Sequence, residues 1–361
     1  MPRNIAIIVD NLRIGGAQRI AFDQSYMFAD LGYTVTLCSL SINEDEKASS
    51  FAKIDKNLII EKKISIVKSL NSTRFSNLKI LMYIFKHQFK CEKVICHSLR
   101  AASLIFVLKL ILRKKCKVSL FLHQMPGFAS RKQQFLRLIY SVFCNNLYIF
   151  SFQALLDWNL RYKQIRWLFK TPIFLRNGVY LPRLPKTAIE PKNSEILRLV
   201  FLGRFIPWKN YDVLLSLSDL DKANFLFKVP SLDKDFRSKA ERLLKKRVQF
   251  EVGKGLSKFK ATGRDIHIYK TTYSNNIKSG ESISINCLEM ACLGIPSLVS
   301  DYSNSWPELF EIGIFLATNF DDPIRLRNDI ENLRSADFSK KISQIREIVQ
   351  ISNQLKILRD F

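Results

Sequence analysis

The sequence predicts an α/β protein made of two doubly wound, parallel-sheet domains. Three observations carry this. The chain has 361 residues, more than the roughly 250–300 at which a single core stops growing. Short apolar runs of strand length alternate with segments of helical spacing, the pattern of parallel βα units. That alternation stops in a polar, proline-bearing stretch at 181–196 and then begins again.

The first domain covers 1–180. Ile5–Val9 reads as a buried strand, and Ala17–Leu31 carries the apolar spacing of a helix. Tyr33–Leu40 is the next strand, and Lys93–Cys96 and Val118–His123 follow. Residues 181–196 form the linker. The second domain, 197–340, opens on a strand at Leu197–Leu202 and shows helical spacing from Tyr211. Strands read near Asn224–Lys228, Arg247–Val252 and Asp265–Tyr269. Asn286–Leu293 reads as a helix closed by Gly294, with Pro296 just beyond, and Ser297–Ser300 as one more strand. From Pro323 the pattern is charged and helical, and 341–361 forms a C-terminal helical segment.

Charge narrows the partners. There are 57 Lys and Arg against 32 Asp and Glu, a net charge of +25. Such an excess implies anionic partners: nucleic acid, an anionic membrane surface or a phosphorylated substrate. Between Lys86 and Lys170 stand 16 Lys or Arg against two acids, Glu92 and Asp157. The basic residues there are interleaved with large apolar ones, which favours a membrane surface, although a solvated basic face has the same composition.

No segment reaches the roughly 20 apolar residues needed to span a bilayer. Ala101–Leu112 is interrupted by Lys109, and Phe135–Phe152 by Arg137 and Asn145–Asn146. The N-terminus does not read as a signal peptide, because the apolar run Ile5–Val9 stops at Asp10. The seven Cys form no CxxC pair and read as reduced thiols. The expected location is cytoplasmic, with peripheral attachment at the inner face of the plasma membrane.

Three constellations could carry chemistry. Gly15–Gly16–Ala17 lies at a strand-to-helix turn, where backbone can approach a ligand and free N–H groups face an anion. The GxGxxG spacing is absent, so a dinucleotide cofactor gains no support. Gly203–Arg204 and Lys209 follow the strand Leu197–Leu202, at a strand end where ligands of open α/β sheets bind. A planar Arg fork with a Lys point charge suits a diphosphate. Glu281 and Glu289, in GESISINCLEMACLGIP, flank a helix start, where a carboxylate can accept from vicinal sugar hydroxyls. His123 ends a strand and, like His97 in ICHS, can donate to a sugar hydroxyl or phosphate, although a lone His is more often structural. Asp219 and Asp221 form a DxD string with no adjacent ligand, and no metal is expected.

These pieces, in this order, resemble the retaining glycosyltransferases of family 4. The matching segments are GGAQR near the start, the strand ending at His123, RNGVY at Arg176–Tyr180 and FLGRFIPWKN at Phe201–Asn210. The Glu281–Glu289 segment through Asp301, with Pro307–Glu308 after it, completes the series. The resemblance implies the GT-B fold, in which two Rossmann-like domains face a central cleft. It implies a nucleoside-diphosphate sugar as donor and no metal or other cofactor. Arg204 and Lys209 would grip the diphosphate, Glu289 the ribose, and Gly16 would approach the phosphates. Glu281 and His123 would lie at the transferred sugar as the catalytic pair. The chain departs from the family at Ser282–Ile283–Ser284, which replaces a Gly-Phe-Gly-like run whose amides contact the donor. It also reads FKVPSLDKD where a glycine-rich turn is usual.

Transfer of a hexose to a lipid-linked or saccharide acceptor, in building surface polysaccharide such as lipopolysaccharide, is the function this implies. A nucleotide-sugar epimerase of the same fold and a basic nucleic-acid-binding protein are the alternatives. The second finds no recognised nucleic-acid motif, and nucleic acid is not an expected partner.

Overall fold

The computed structural model describes residues 3–12, 15–40, 55–68, 91–112, 116–123, 130–184, 196–203, 210–252, 259, 261–262, 264–270, 283–300 and 305–358. They form two compact units. One comprises Met1–Tyr180 with the C-terminal Ile351–Phe361, and the other Leu181–Ser279 with Ile283–Gln350.

The first unit runs β1 (Asn4–Val9), α1 (Gly16–Asp30), β2 (Thr34–Ser39), α2 (Lys56–Glu61), β3 (Ser65–Lys68), β4 (Cys91–Cys96) and α3 (Leu99–Leu112). It continues with β5 (Lys117–Leu122), α4 (Arg131–Phe143), β6 (Asn146–Ile149), α5 (Phe152–Arg161) and β7 (Ile173–Phe174). The seven strands lie in the order β3-β2-β1-β4-β5-β6-β7, and every pairing is parallel. Helices cover both faces of such a sheet, so its strands read as continuous apolar runs. Ile5, Ala6, Ile7 and Ile8 of β1 are accordingly buried without alternation. The strand order reverses between β1 and β4, the topological switch point of an open α/β sheet.

The second unit contains β8 (Leu197–Leu202), β9 (Ala223–Val229), α6 (Lys234–Leu244), β10 (Val248–Val252), β11 (Asp265–Tyr269), α7 (Ile285–Cys292) and β12 (Ser297–Val299). After these come α8 (Pro307–Glu311), β13 (Phe315–Ala317), α9 (Pro323–Ser335) and α10 (Ile342–Val349). Its six-stranded sheet, β10-β9-β8-β11-β12-β13, is again parallel and reverses between β8 and β11. The helical spacing from Tyr211 resolves as a 3₁₀ helix over Tyr211–Leu217, entered through Asn210 at φ +41°. Ser284 caps α7 by accepting from the Cys287 N–H at 3.4 Å, and Gly294 at φ +75° closes it.

The C-terminal segment belongs to both units in turn. In the second, Arg346 of α10 donates from Nε to the Cys292 carbonyl of α7 at 2.9 Å. In the first, the Ile351 N–H donates to the Val179 carbonyl at 2.9 Å. Gly178 is required there, because a Cβ on it would lie 2.5 Å from the Ile351 Cα. This gives the RNGVY segment its physical reason. Among the described residues no helix is long and apolar enough to cross a membrane.

Candidate functional site

The first unit holds a cavity of about 330 Å³ at the carboxyl ends of β1, β4 and β5, beside the switch point. Asp10, Gln18, Ser98, His123, Gln133 and Arg137 are among its lining residues. Two helix starts open onto it. Helix α1 follows Gly15, which has no side chain to cap it and whose backbone is extended. Gly16 is exposed, and a Cβ there would meet nothing within 4 Å. At α3, Ser98 Oγ accepts from the Ala101 N–H at 3.0 Å and donates to Asp10 at 2.7 Å.

His123 stands just past β5, and its Nε2 lies 2.8 Å from Nδ1 of His97. His97 Nε2 lies 3.0 Å from Gln24 Oε1. Gln24 donates from Nε2 to Gln354 Oε1 at 3.0 Å, and Gln354 donates to the Arg176 carbonyl at 2.9 Å. The far end fixes every role, because a backbone carbonyl only accepts. Gln354 must present its NH₂ to Arg176 and its oxygen to Gln24. Gln24 then presents its oxygen to His97, which must carry its proton on Nε2. Burial, and secondarily the neighbouring His123, hold His97 neutral by pushing its pKa well below 6.5. Its Nδ1 is therefore an acceptor, and His123 must donate from Nε2. His123 is itself kept neutral, its pKa pushed down to about 3 by burial against His97 and Phe150. Its Nδ1 is left as an acceptor, and among the described residues no group donates to it. At this nitrogen His123 is thus an acceptor, where the sequence offers it as a donor.

In the second unit, Glu289 is buried in α7 and pairs with Arg183, from the 3₁₀ turn Leu181–Arg183. Asn286 Nδ2 donates to the Leu202 carbonyl at 3.0 Å, tying the start of α7 to the end of β8. Ile283 is buried, and Ser284 is spent as the helix cap. Arg204, Lys209, Glu281 and Ser282 lie outside the described residues. Gly16 and His123 are in the first unit, while Ile283, Ser284 and Glu289 are in the second.

Four residues escaped the sequence reading. Gln24, Gln354 and Arg183 are ordinary polar residues whose partners lie 330 and 106 positions away, so nothing local marks them. Arg137 read only as a charge interrupting an apolar run. That interruption was itself the available signal. Asp219 of the DxD string pairs with Arg327, and among the described residues no cluster of His, Cys, Asp or Glu could hold a metal ion.

The sequence matches no protein-family model and no curated relative. By structure the chain is similar to HepE of Anabaena, solved in complex with UDP and glucose. The TM-score is 0.72 at 13% identity, covering 99% of this chain and 98% of that one. Sucrose-phosphate synthase of Thermosynechococcus elongatus gives 0.70 at 13% identity, with 99% and 98% covered. The lipopolysaccharide outer core galactosyltransferase WaaB, in its apo form, gives 0.64 at 15% identity, with 99% and 98% covered.

The fold is GT-B. Each Rossmann-like unit of this GT-B chain places polar groups where its strands end: His97, Ser98 and His123 in one, Asn286 and the Arg183–Glu289 pair near β8 and α7 in the other. Those are the positions at which open α/β sheets bind ligands.

Proposed function

We propose that this protein is a glycosyltransferase that moves a hexose from a nucleoside-diphosphate sugar to a lipid-linked or saccharide acceptor, with retention of configuration. The observation that carries the reading is the likeness, along 99% of the chain, to a structure holding UDP and glucose. The accepting His123 Nδ1 supports it, because a sugar presents hydroxyl donors.

The donor is assigned chiefly to the second unit. Arg204 and Lys209 bind its diphosphate, Glu289 its ribose, and the backbone of Ser282, Ile283 and Ser284 its sugar and phosphates. Glu289 can accept from a ribose hydroxyl while holding Arg183, since a carboxylate has about four lone-pair sites. Gly16 approaches the phosphates, and His123 accepts from a hydroxyl of the transferred sugar, with Glu281 against the same sugar. In the transfer, the bond from the anomeric carbon to the diphosphate breaks and a bond to the acceptor oxygen forms on the same face. The departing diphosphate takes the acceptor's proton. Cations and helix starts neutralise the charge that develops on it, so the reading needs no metal. The basic residues of the first unit favour an acceptor at the cytoplasmic membrane face, in building surface polysaccharide.

The test is thermal stabilisation by UDP-, GDP-, ADP- and CMP-sugars. A ligand bound only by the folded state stabilises it by about 2.7 kcal/mol at a hundredfold excess over its dissociation constant. One nucleotide class should raise the melting temperature, and the rise should vanish in Arg204→Ala and Lys209→Ala. No response to any nucleotide sugar, together with no turnover, would sink the reading. Epimerised donor formed without acceptor would replace it with an epimerase.

A further inference from the structure

Arg137 is an anomaly that the donor assignment does not use. It lies in the middle of α4 and is 2% exposed, and it lines the first unit's cavity. Its Nε and Nη1 are buried and, among the described residues, have no hydrogen-bond partner. The capping box between Ser130 and Gln133 fixes the start of α4, so the position of Arg137 one turn further on is set by the helix. Buried guanidinium groups are ordinarily paired, because an uncompensated charge in a desolvated place destabilises the fold. Among the described residues, the titratable group that acts on its charge is the phenol of Tyr162, which is uncharged at neutral pH. The remaining surroundings reinforce the cation. The starts of α1 and α3 open on the same cavity, and Arg100 lines it. The one carboxylate among the described lining residues, Asp10, already accepts from Ser98.

We propose that this cavity is the subsite for an anionic acceptor, a saccharide bearing a carboxylate or phosphate whose oxyanion seats on the Arg137 guanidinium. The assignment rests on the glycosyltransferase reading for the word acceptor, but the anion site itself does not. A planar oxyanion seated where Arg137 lines the cavity would supply the negative charge that the guanidinium lacks among the described residues. The cavity, at about 330 Å³, has room for a sugar ring beside the anion. A uronic acid and a sugar phosphate share this chemistry, and the experiment separates them.

The experiment measures melting temperature and calorimetric binding of the full chain with glucuronate, glucose 6-phosphate and neutral glucose at matched ionic strength. Each is run with and without saturating UDP. Wild type should respond to glucuronate or glucose 6-phosphate and not to glucose, and the response should persist in UDP. Whichever anion binds more tightly names the acceptor's group. Arg137→Met keeps the unbranched stem and removes the charge. It should melt at the same temperature as wild type or higher, and bind the anion about 10- to 100-fold more weakly, the loss expected for charge-assisted hydrogen bonds. Arg137→Lys, which keeps the charge without the fork, should bind several-fold more weakly and covers the case in which the Met variant does not fold.

Three results would overturn the subsite: no anion response in wild type, an undiminished response in both variants, or loss of the response in UDP, which would make it a donor-phosphate site. UDP binding without an anion response removes only the subsite. An anion response without any nucleotide binding keeps the subsite and removes the glycosyltransferase reading.

Discussion

His97 and His123 face each other with Nδ1 and Nε2 2.8 Å apart and their rings stacked at 5.1 Å between centroids. Neither can donate to the other unless one is a defined tautomer, and that choice is made by Gln24, Gln354 and the Arg176 carbonyl. The C-terminal segment therefore sets the proton arrangement at the head of β5.

Gln24→Leu should release this arrangement. His97 loses the acceptor for its Nε2 proton, and a buried N–H left unmatched costs about 1–3 kcal/mol. The proton can move to Nδ1, after which His123 must accept at Nε2 and carry its own proton on Nδ1. Nitrogen NMR shifts of His123 should report the exchanged tautomer. Activity should fall roughly 3- to 10-fold, the worth of one neutral hydrogen bond. An unchanged His123 spectrum in a folded variant would refute the relay.

The same pair makes stability depend on pH. Both imidazoles stay neutral in the folded protein well below the ordinary 6.5, His123 down to about 3, because burial opposes the charged form. The unfolded chain takes up protons as pH falls through about 6.5 and the folded chain does not. Their contribution is therefore intact above that pH and is lost as pH falls towards 3. The slope is roughly 1.4 kcal/mol per pH unit for each imidazole at most. Urea unfolding at pH 7.5, 6.0 and 5.0 should show the decline, and His97→Gln with His123→Gln should flatten it. Equal slopes in the wild type and the double variant would assign the decline to other groups.

Most strands of the two sheets, the glycine turn after β1 and the punctuation of α7 were legible because each is written in neighbouring residues. Ile5–Val9 is an unbroken apolar run, and Gly294 follows α7 directly. Strand β7 has only two residues, Ile173–Phe174, and β6 lies in a stretch broken by Asn145–Asn146, so neither offered a period to read. Residues from Tyr211 had helical spacing but not the length, and the segment settled as a 3₁₀ helix. The candidate residues at strand ends were legible from type and position. Their partners were not, since Gln354 and Arg183 gain meaning only once the chain has folded.

The Arg183–Glu289 pair should be costly to split and cheap to remove whole. The side chains are 4% and 5% exposed, so removing one leaves the other charge desolvated and short of its ion-pair partner. Arg183→Met or Glu289→Met alone should cost about 3–5 kcal/mol, while the double variant should recover much of it. A double-mutant cycle by urea unfolding measures this, and additive losses would deny the coupling. Nucleotide affinity should fall whenever Glu289 is replaced and should survive Arg183→Met where that protein remains folded.

Gly178→Ala tests whether the C-terminal segment acts on the site at a distance. The added Cβ would come within 2.5 Å of the Ile351 Cα and 3.0 Å of its nitrogen, which is backbone and cannot rotate away. The contact it disturbs includes the Ile351 N–H to Val179 carbonyl bond, three residues before Gln354. Overpacking of this kind costs roughly 1–3 kcal/mol. The melting temperature should fall, and His123 should show the same nitrogen shifts as in Gln24→Leu, although Gly178 touches neither histidine. The relay predicts that the two readouts move together, because Gln354 is carried by the displaced backbone. If stability falls while the His123 tautomer holds, the C-terminal segment is a clasp for the first unit and the proton arrangement is fixed by Gln24 alone.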